Sequence, residues 1–225
     1  MAKQRTQFLC GQCGAVQPKW MGKCPDCGAW DALEQFVEAK VAASAVNLGA
    51  ETAPGASAVA EPLGQVQAAR VPRLPTGVPE FDRVLGGGFV PGSAVLLGGD
   101  PGIGKSTLLL QALAALADAG TPVLYASSEE SAHQVRLRAE RLHGAELPAR
   151  NERLWVLSET NLARLLEQAR RVQPAVLVVD SIQLVHRVDV DAVPGSASQL
   201  RRCALDLVAF AKTSGCVVVI VGHVT

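Results

Sequence analysis

The chain has 225 residues, 48% of them hydrophobic, enough to bury one full core and leave room for a small second module. Its 21 basic and 21 acidic residues balance, which excludes nucleic-acid or membrane binding through bulk charge, so any such contact has to be local. The start, MAKQRTQFLCGQCG, holds no apolar run of signal-peptide length, and the most apolar late stretch, CVVVIVG, is strand-sized, so the expected setting is cytoplasmic with no membrane partner.

Residues 1–36 form the first expected unit. Cys10, Cys13, Cys24 and Cys27 stand as CxxC, ten residues, CxxC within CGQCGAVQPKWMGKCPDCG. Two-residue spacing turns both thiolates of a pair onto one ion, and Gly14 and Gly28 suit the tight turns that follow. Two such knuckles favour a closed tetrahedral Zn2+ site over a redox pair or free thiols, and the metal would supply folding free energy that so short a segment lacks. Lys19, Trp20, Lys23 and Trp30 lie beside the knuckles. The two indoles are expected to pack over the zinc site, with stacking on DNA as the alternative.

Residues 37–71 are rich in Ala, Val, Gly and Pro without a sustained period, and read as a flexible tether. From residue 72 to 225 apolar runs alternate with helical patterns. Strands are expected at SAVLLG (Ser93 to Gly98), VLYAS (Val123 to Ser127), LWVL (Leu154 to Leu157), AVLVVD (Ala175 to Asp180) and VVVIV (Val217 to Val221). Helices are expected over 105–119, 131–143, 161–172 and 198–213, each stopping at or just before a Gly or Pro. Continuous apolar strands between such helices indicate an α/β core, a mostly parallel sheet covered on both faces. Cys203 and Cys216 read as small core residues.

The first of these strands runs into GDPGIGKS, Gly99 to Ser106, which satisfies GxxxxGK[ST] and feeds a helix. Gly99, Asp100, Pro101, Gly102, Ile103 and Gly104 form the loop whose backbone N–H groups approach the phosphates of ATP. Lys105 bridges the β and γ oxygens, Ser106 ligates Mg2+, and Thr107 faces the α-phosphate. Asp180 ends an apolar strand and is expected to hold the magnesium water shell. Glu129 and Glu130 follow the second strand, and one of them is expected to orient the attacking water.

LPTGVPEFDRVLGGGFVPGSAVLLGGDPGIGKSTLLLQ, then YASSEESAHQVRLRAERL, LVVDSIQ, VPGSASQLR and VVVIVGHVT, resemble RecA-family ATPases in order. Joined to the cysteine head, they closely resemble the RadA (Sms) family of bacterial DNA-repair proteins, over nearly the whole chain except the tether. The resemblance implies a RecA-like P-loop NTPase core behind a small four-cysteine zinc finger of zinc-ribbon type. It implies an ATP hydrolase that depends on DNA, binds single-stranded or branched DNA and promotes processing or branch migration of recombination intermediates with RecA recombinase. It further implies a homo-oligomeric ring, a hexamer, at full length.

By motif position Lys105, Glu129 and Asp180 are catalytic, with Glu130 as the fallback base. His223 matches a γ-phosphate sensor, against an ordinary structural role at a strand end. In RecA-like rings the loop over 186–202 lines the DNA channel, which makes Arg187, Ser196, Ser198, Gln199 and Arg201 candidate phosphate donors, against an ordinary solvated loop. Ser128 stands where the family has glycine. The family continues past Thr225, so the chain is expected to be truncated and its core incomplete at the C-terminus. The alternative is a nucleotide-switched binding protein of the circadian-clock type, which shares the TGxxxFD and GGG elements. The zinc head favours the repair ATPase.

Overall fold

The structure is a computed structural model that describes residues 6–10, 12, 15–37, 60, 62–65, 71–144 and 152–223. Cys13, Gly14 and most of the expected tether lie outside the described residues.

At the N-terminal end, β1 (Thr6–Cys10) pairs antiparallel with both β2 (Val16–Gln17) and β3 (Leu33–Val37), giving the order β2-β1-β3. These strands are too short to register as periodic patterns. Their hydrophobic cluster is correspondingly small, with Cys10, Cys24 and Leu33 buried and Phe8, Ala15 and Ala32 packed around them. The expectation that the indoles cover the knuckles is not met, because Trp20 is 55% and Trp30 76% exposed. Trp30 instead has the Lys23 ammonium 5.5 Å from its ring centroid, and Phe8, Ala15, Ala32 and Leu33 supply the apolar cover of the buried cysteines.

The larger unit begins with Leu74 bridged to Phe89, enclosing α1 (Pro79–Leu85), a helix the sequence reading did not separate from its loop. Asp82 accepts the Thr76 N–H at 2.8 Å, and Phe81 meets Phe89 edge-to-face at 5.7 Å. Gly88 has φ +119° and lies so close to the Leu74 carbonyl that a Cβ would stand 2.4 Å from its oxygen, which explains the end of the GGG run.

Then follow β4 (Ala94–Gly99), α2 (Lys105–Asp118), β5 (Val123–Ser127), α3 (Ala132–His143), β6 (Leu154–Ser158), α4 (Leu162–Val172), β7 (Val176–Asp180), α5 (Ala197–Ser214) and β8 (Val217–His223). All five expected strands are present within a residue or two. They form one parallel sheet of order β4-β8-β7-β5-β6.

Strand periodicity sorts the sheet's side chains to two faces. Val123, Tyr125, Val176, Val178, Val217, Val219 and Val221 pack with α1, α2 and α3. Leu124, Ala126, Leu177, Val179, Val218 and Ile220 pack with α4 and α5. Cover on both faces holds for β5 and β7 throughout and for all of β8 but its last residue, whereas β4 alternates and leaves Leu96 72% exposed. The helix starts follow local chemistry. Ser131 and Gln134 form a reciprocal capping box on α3, Asn161 caps α4 through two N–H groups, and Ser196 caps α5. Among the described residues no helix is long and apolar enough to cross a membrane.

Candidate nucleotide and metal sites

The register of the parallel sheet brings the expected residues to one edge. Gly99 pairs with His223 and Ser127 with Asp180, so β4, β8, β7 and β5 end side by side and deliver their following residues to the same place. The glycine-rich loop spans 99–104, and Gly104 starts α2 in the left-handed region, φ +100°, with no side-chain cap. The first amides of α2 therefore face outward without a side-chain partner, as an anion site requires. Lys105 is buried, and its ammonium donates to the carbonyls of Gly99 at 2.7 Å and Asp100 at 2.8 Å, spanning the loop from within. Asp100, Pro101, Gly102 and Ile103 are exposed, and Thr107 is half-buried on the first turn of α2.

Asp180 is buried and accepts a hydrogen bond of 2.5 Å from the Tyr125 hydroxyl. Burial, and then the facing Asp180 carboxylate, push the Tyr125 phenol far above its ordinary range, so it remains a proton donor. Tyr125, which the sequence reading passed over, thus holds Asp180 from within the core. Once β5 and β7 are paired, Tyr125 opposes Val178 and alternation places Asp180 on the same α2 face.

The two acids after β5 have different surroundings. The Glu129 carboxylate accepts from the Ser181 hydroxyl and stands 3.3 Å from His223 Nε2. The Ser181 hydrogen bond is the main reason its acidity lies below the usual glutamate range; partial burial opposes the shift, and His223 and the Lys105 charge add to it. Glu130 instead forms an ion pair with Arg138 of α3, and its backbone is held by Ser127 and Ser158. Ser128 uses its hydroxyl twice, accepting from the Ser181 N–H at 3.0 Å and donating to the Ser181 carbonyl at 2.8 Å. A glycine at this position has no such group. His223 Nδ1 is buried without a hydrogen-bond partner among the described residues, which suits the tautomer that carries its proton on Nε2.

The loop after β7 departs from expectation. Gln199 is buried, accepts the Arg187 N–H and donates to the carbonyls of Arg187, Val190 and Ala192, at 3.0 to 3.1 Å. Arg187 is paired with Asp189 and Asp206, and Ser196 caps α5 while bonding Ser198. These four donors are engaged within the protein rather than presented to a phosphate backbone. Gln199 sits on the stripe Gln199, Cys203, Leu207, Phe210 that α5 buries, and this four- and three-residue period was readable beforehand.

In the head, the sulfurs of Cys10, Cys24 and Cys27 lie within 4.8 Å of one another, and Cys10 Sγ is 3.6 Å from Cys27 Sγ. Gly28 follows Cys27 at φ +73° and returns its N–H to the Cys24 carbonyl at 2.9 Å. Three converging thiols with this turn fit a thiophilic ion. Cys203 and Cys216 are core thiols, whose acidity burial moves to about 11 and about 12.

Residues 60–225 match the AAA domain family, and residues 8–35 match the rubredoxin metal binding domain. The chain is 46% identical over 227 residues to the DNA repair protein RadA of Bacillus subtilis (strain 168) and 46% identical over 231 residues to that of Escherichia coli (strain K12). Each match covers 100% of this chain and 48% of the relative, so the chain spans about half the length of these curated relatives. Among solved structures, an ATPase domain superposes with a TM-score of 0.58 at 17% identity, over 69% of this chain and 65% of that one, a likeness of fold. With its zinc-ribbon head, its P-loop core and these whole-chain similarities, the chain belongs to the AAA domain family, alongside the RadA-type DNA repair proteins.

Proposed function

We propose that the chain is the ATP-hydrolysing part of a DNA-repair protein that acts on single-stranded or branched DNA in the cytoplasm, assembled as a homo-oligomeric ring and working beside RecA recombinase. The similarity to RadA-type proteins supports the biological setting. The observation that carries the chemistry is that Lys105, Asp180, Glu129 and His223 come from four adjacent strand ends.

In this reading the loop 99–104 and the first turn of α2 take the phosphates through backbone N–H groups. Lys105 exchanges its two carbonyl partners for phosphate oxygens and offsets their charge. Ser106 and Asp180 supply oxygen donors for magnesium, a hard cation, which when bound draws charge from the β and γ oxygens. Glu129 orients the attacking water, while Glu130 remains tied to Arg138. His223 Nε2, now beside Glu129, is within reach of a γ-phosphate held at the same edge. The cysteine head takes one zinc ion through Cys10, Cys13, Cys24 and Cys27.

The test separates binding from chemistry. Glu129→Gln is expected to keep ATP affinity within about threefold while turnover falls on the order of 100-fold or more, with Glu130→Gln far milder. Lys105→Ala is expected to lose ATP binding itself. Turnover measured with and without single-stranded DNA addresses the DNA dependence. Wild-type turnover in Glu129→Gln overturns the assignment of the base.

A further inference from the structure

The cysteine head carries an aromatic and cationic surface that its own fold does not use. Trp20 and Trp30 are both largely open, and Met21 beside Trp20 is exposed as well. The buried cysteines take their apolar cover from Phe8, Ala15, Ala32 and Leu33, so neither indole is spent on the core. In so small a unit, two open indoles forgo burial that folding could have used, which marks them as contacts for a partner. The backbone fixes where they stand. Lys23 and Trp30 pair across an antiparallel bridge, and the Asp31 N–H donates to the Gly22 carbonyl at 2.8 Å. Cross-strand partners project to one face, which puts the Lys23 ammonium 5.5 Å from the Trp30 ring centroid. A Cβ at Gly22 would stand 3.9 Å from Trp30 Cζ3, so the ring lies against Gly22, two residues along the chain from Trp20. Lys19 and Lys23 are exposed, and Asp26 accepts from the Gln17 side-chain amide at 2.7 Å, while Asp31 is exposed next to Trp30.

We propose that Trp20, Trp30 and Lys23 form a stacking platform for single-stranded DNA on the cysteine head. Every base has a flat π face that stacks on an indole whatever the sequence, and a cation held beside the ring meets the phosphate that links one base to the next. A duplex keeps its bases stacked on one another, so open indoles select an unpaired strand. The proposal rests on the reading of this chain as acting on single-stranded DNA, and adds which side chains hold the strand. Arg187, Ser196, Ser198 and Gln199 are engaged within the protein, so the head offers contacts that those residues do not.

The chain has three tryptophans, so Trp155→Phe leaves Trp20 and Trp30 as its only indoles. In that parent, zinc-loaded protein is titrated with a dye-labelled oligothymidylate and followed by tryptophan emission and by dye anisotropy. Emission is expected to be quenched in step with binding, and an abasic strand of the same length to bind roughly tenfold more weakly and without the quench. Trp20→Ala and Trp30→Ala are each expected to weaken binding roughly tenfold, with Trp30→Phe recovering most of the loss because a phenyl ring still stacks. Lys23→Gln is expected to lower the slope of log affinity against log salt by about 0.7, one phosphate contact on a single strand.

The quench needs no substitution in the head, so it decides the matter even where an alanine variant loses its zinc. Binding without quench, or affinities within about twofold of the parent in both alanine variants at full zinc content, overturns the proposal, leaves the DNA reading in place and gives the indoles to a protein partner. A parent that binds no single-stranded DNA by anisotropy overturns that reading and the proposal with it.

Discussion

Ser181 and Ser128 decide the state of Glu129. Ser181 donates to the carboxylate and is itself gripped through its backbone by Ser128, so the loop after β5 is fastened to the residue that follows Asp180. Because the folded-state acidity constant of Glu129 lies below its unfolded value, this contact favours the fold above the ordinary glutamate range and is lost as pH falls through the lowered value. The acid limb of kcat/KM is accordingly expected below the usual carboxylate range. Ser181→Ala should move that limb upward in pH; an unmoved limb in that variant means that Ser181 does not set the ionisation of Glu129. That Lys105 and Asp180 would converge at one sheet edge was legible from motifs, because a P-loop and a strand-ending carboxylate have few uses. Tyr125 and Ser181 were not, because hydroxyls on buried strands and loops look alike until the pairing of Ser127 with Asp180 shows which of them converge.

Elements were read better than their surroundings. The five strands and four long helices of the core follow from uninterrupted apolar runs and from Gly or Pro stops, whereas α1 at seven residues and the head strands at two to five residues are too short to show a period. In the loop between β7 and α5, Gln199 and Arg187 act as internal braces. Gln199→Leu is expected to cost about 3 kcal/mol in a urea titration, since it leaves the backbone groups of Arg187, Val190 and Ala192 without the partner that now satisfies them. Hydrogen exchange over 187–192 should accelerate in parallel. Stability within about 0.5 kcal/mol of wild type would show that water replaces the amide at no cost.

Among the described residues of the whole molecule, the cysteine cluster shares no member with the two clusters that cover the sheet. Chelation of zinc, or Cys24→Ser, is therefore expected to unfold the head alone: zinc falls from one equivalent per chain to none, while the main thermal transition and ATP affinity stay unchanged. A main transition that shifts by more than a few degrees on chelation would tie the two units into one cooperative fold. The contiguous order β4-β8-β7-β5 carries a different consequence. A ligand gripped by residues from four neighbouring strands loses a binding partner once any one of them separates, and β7 and most of β8 are buried. Nucleotide binding is thus linked to global rather than local unfolding of the core. Each tenfold excess of ligand over Kd adds about 1.4 kcal/mol to the whole sheet, and the edge where these four strands end doubles as a ligand-dependent clamp on its stability.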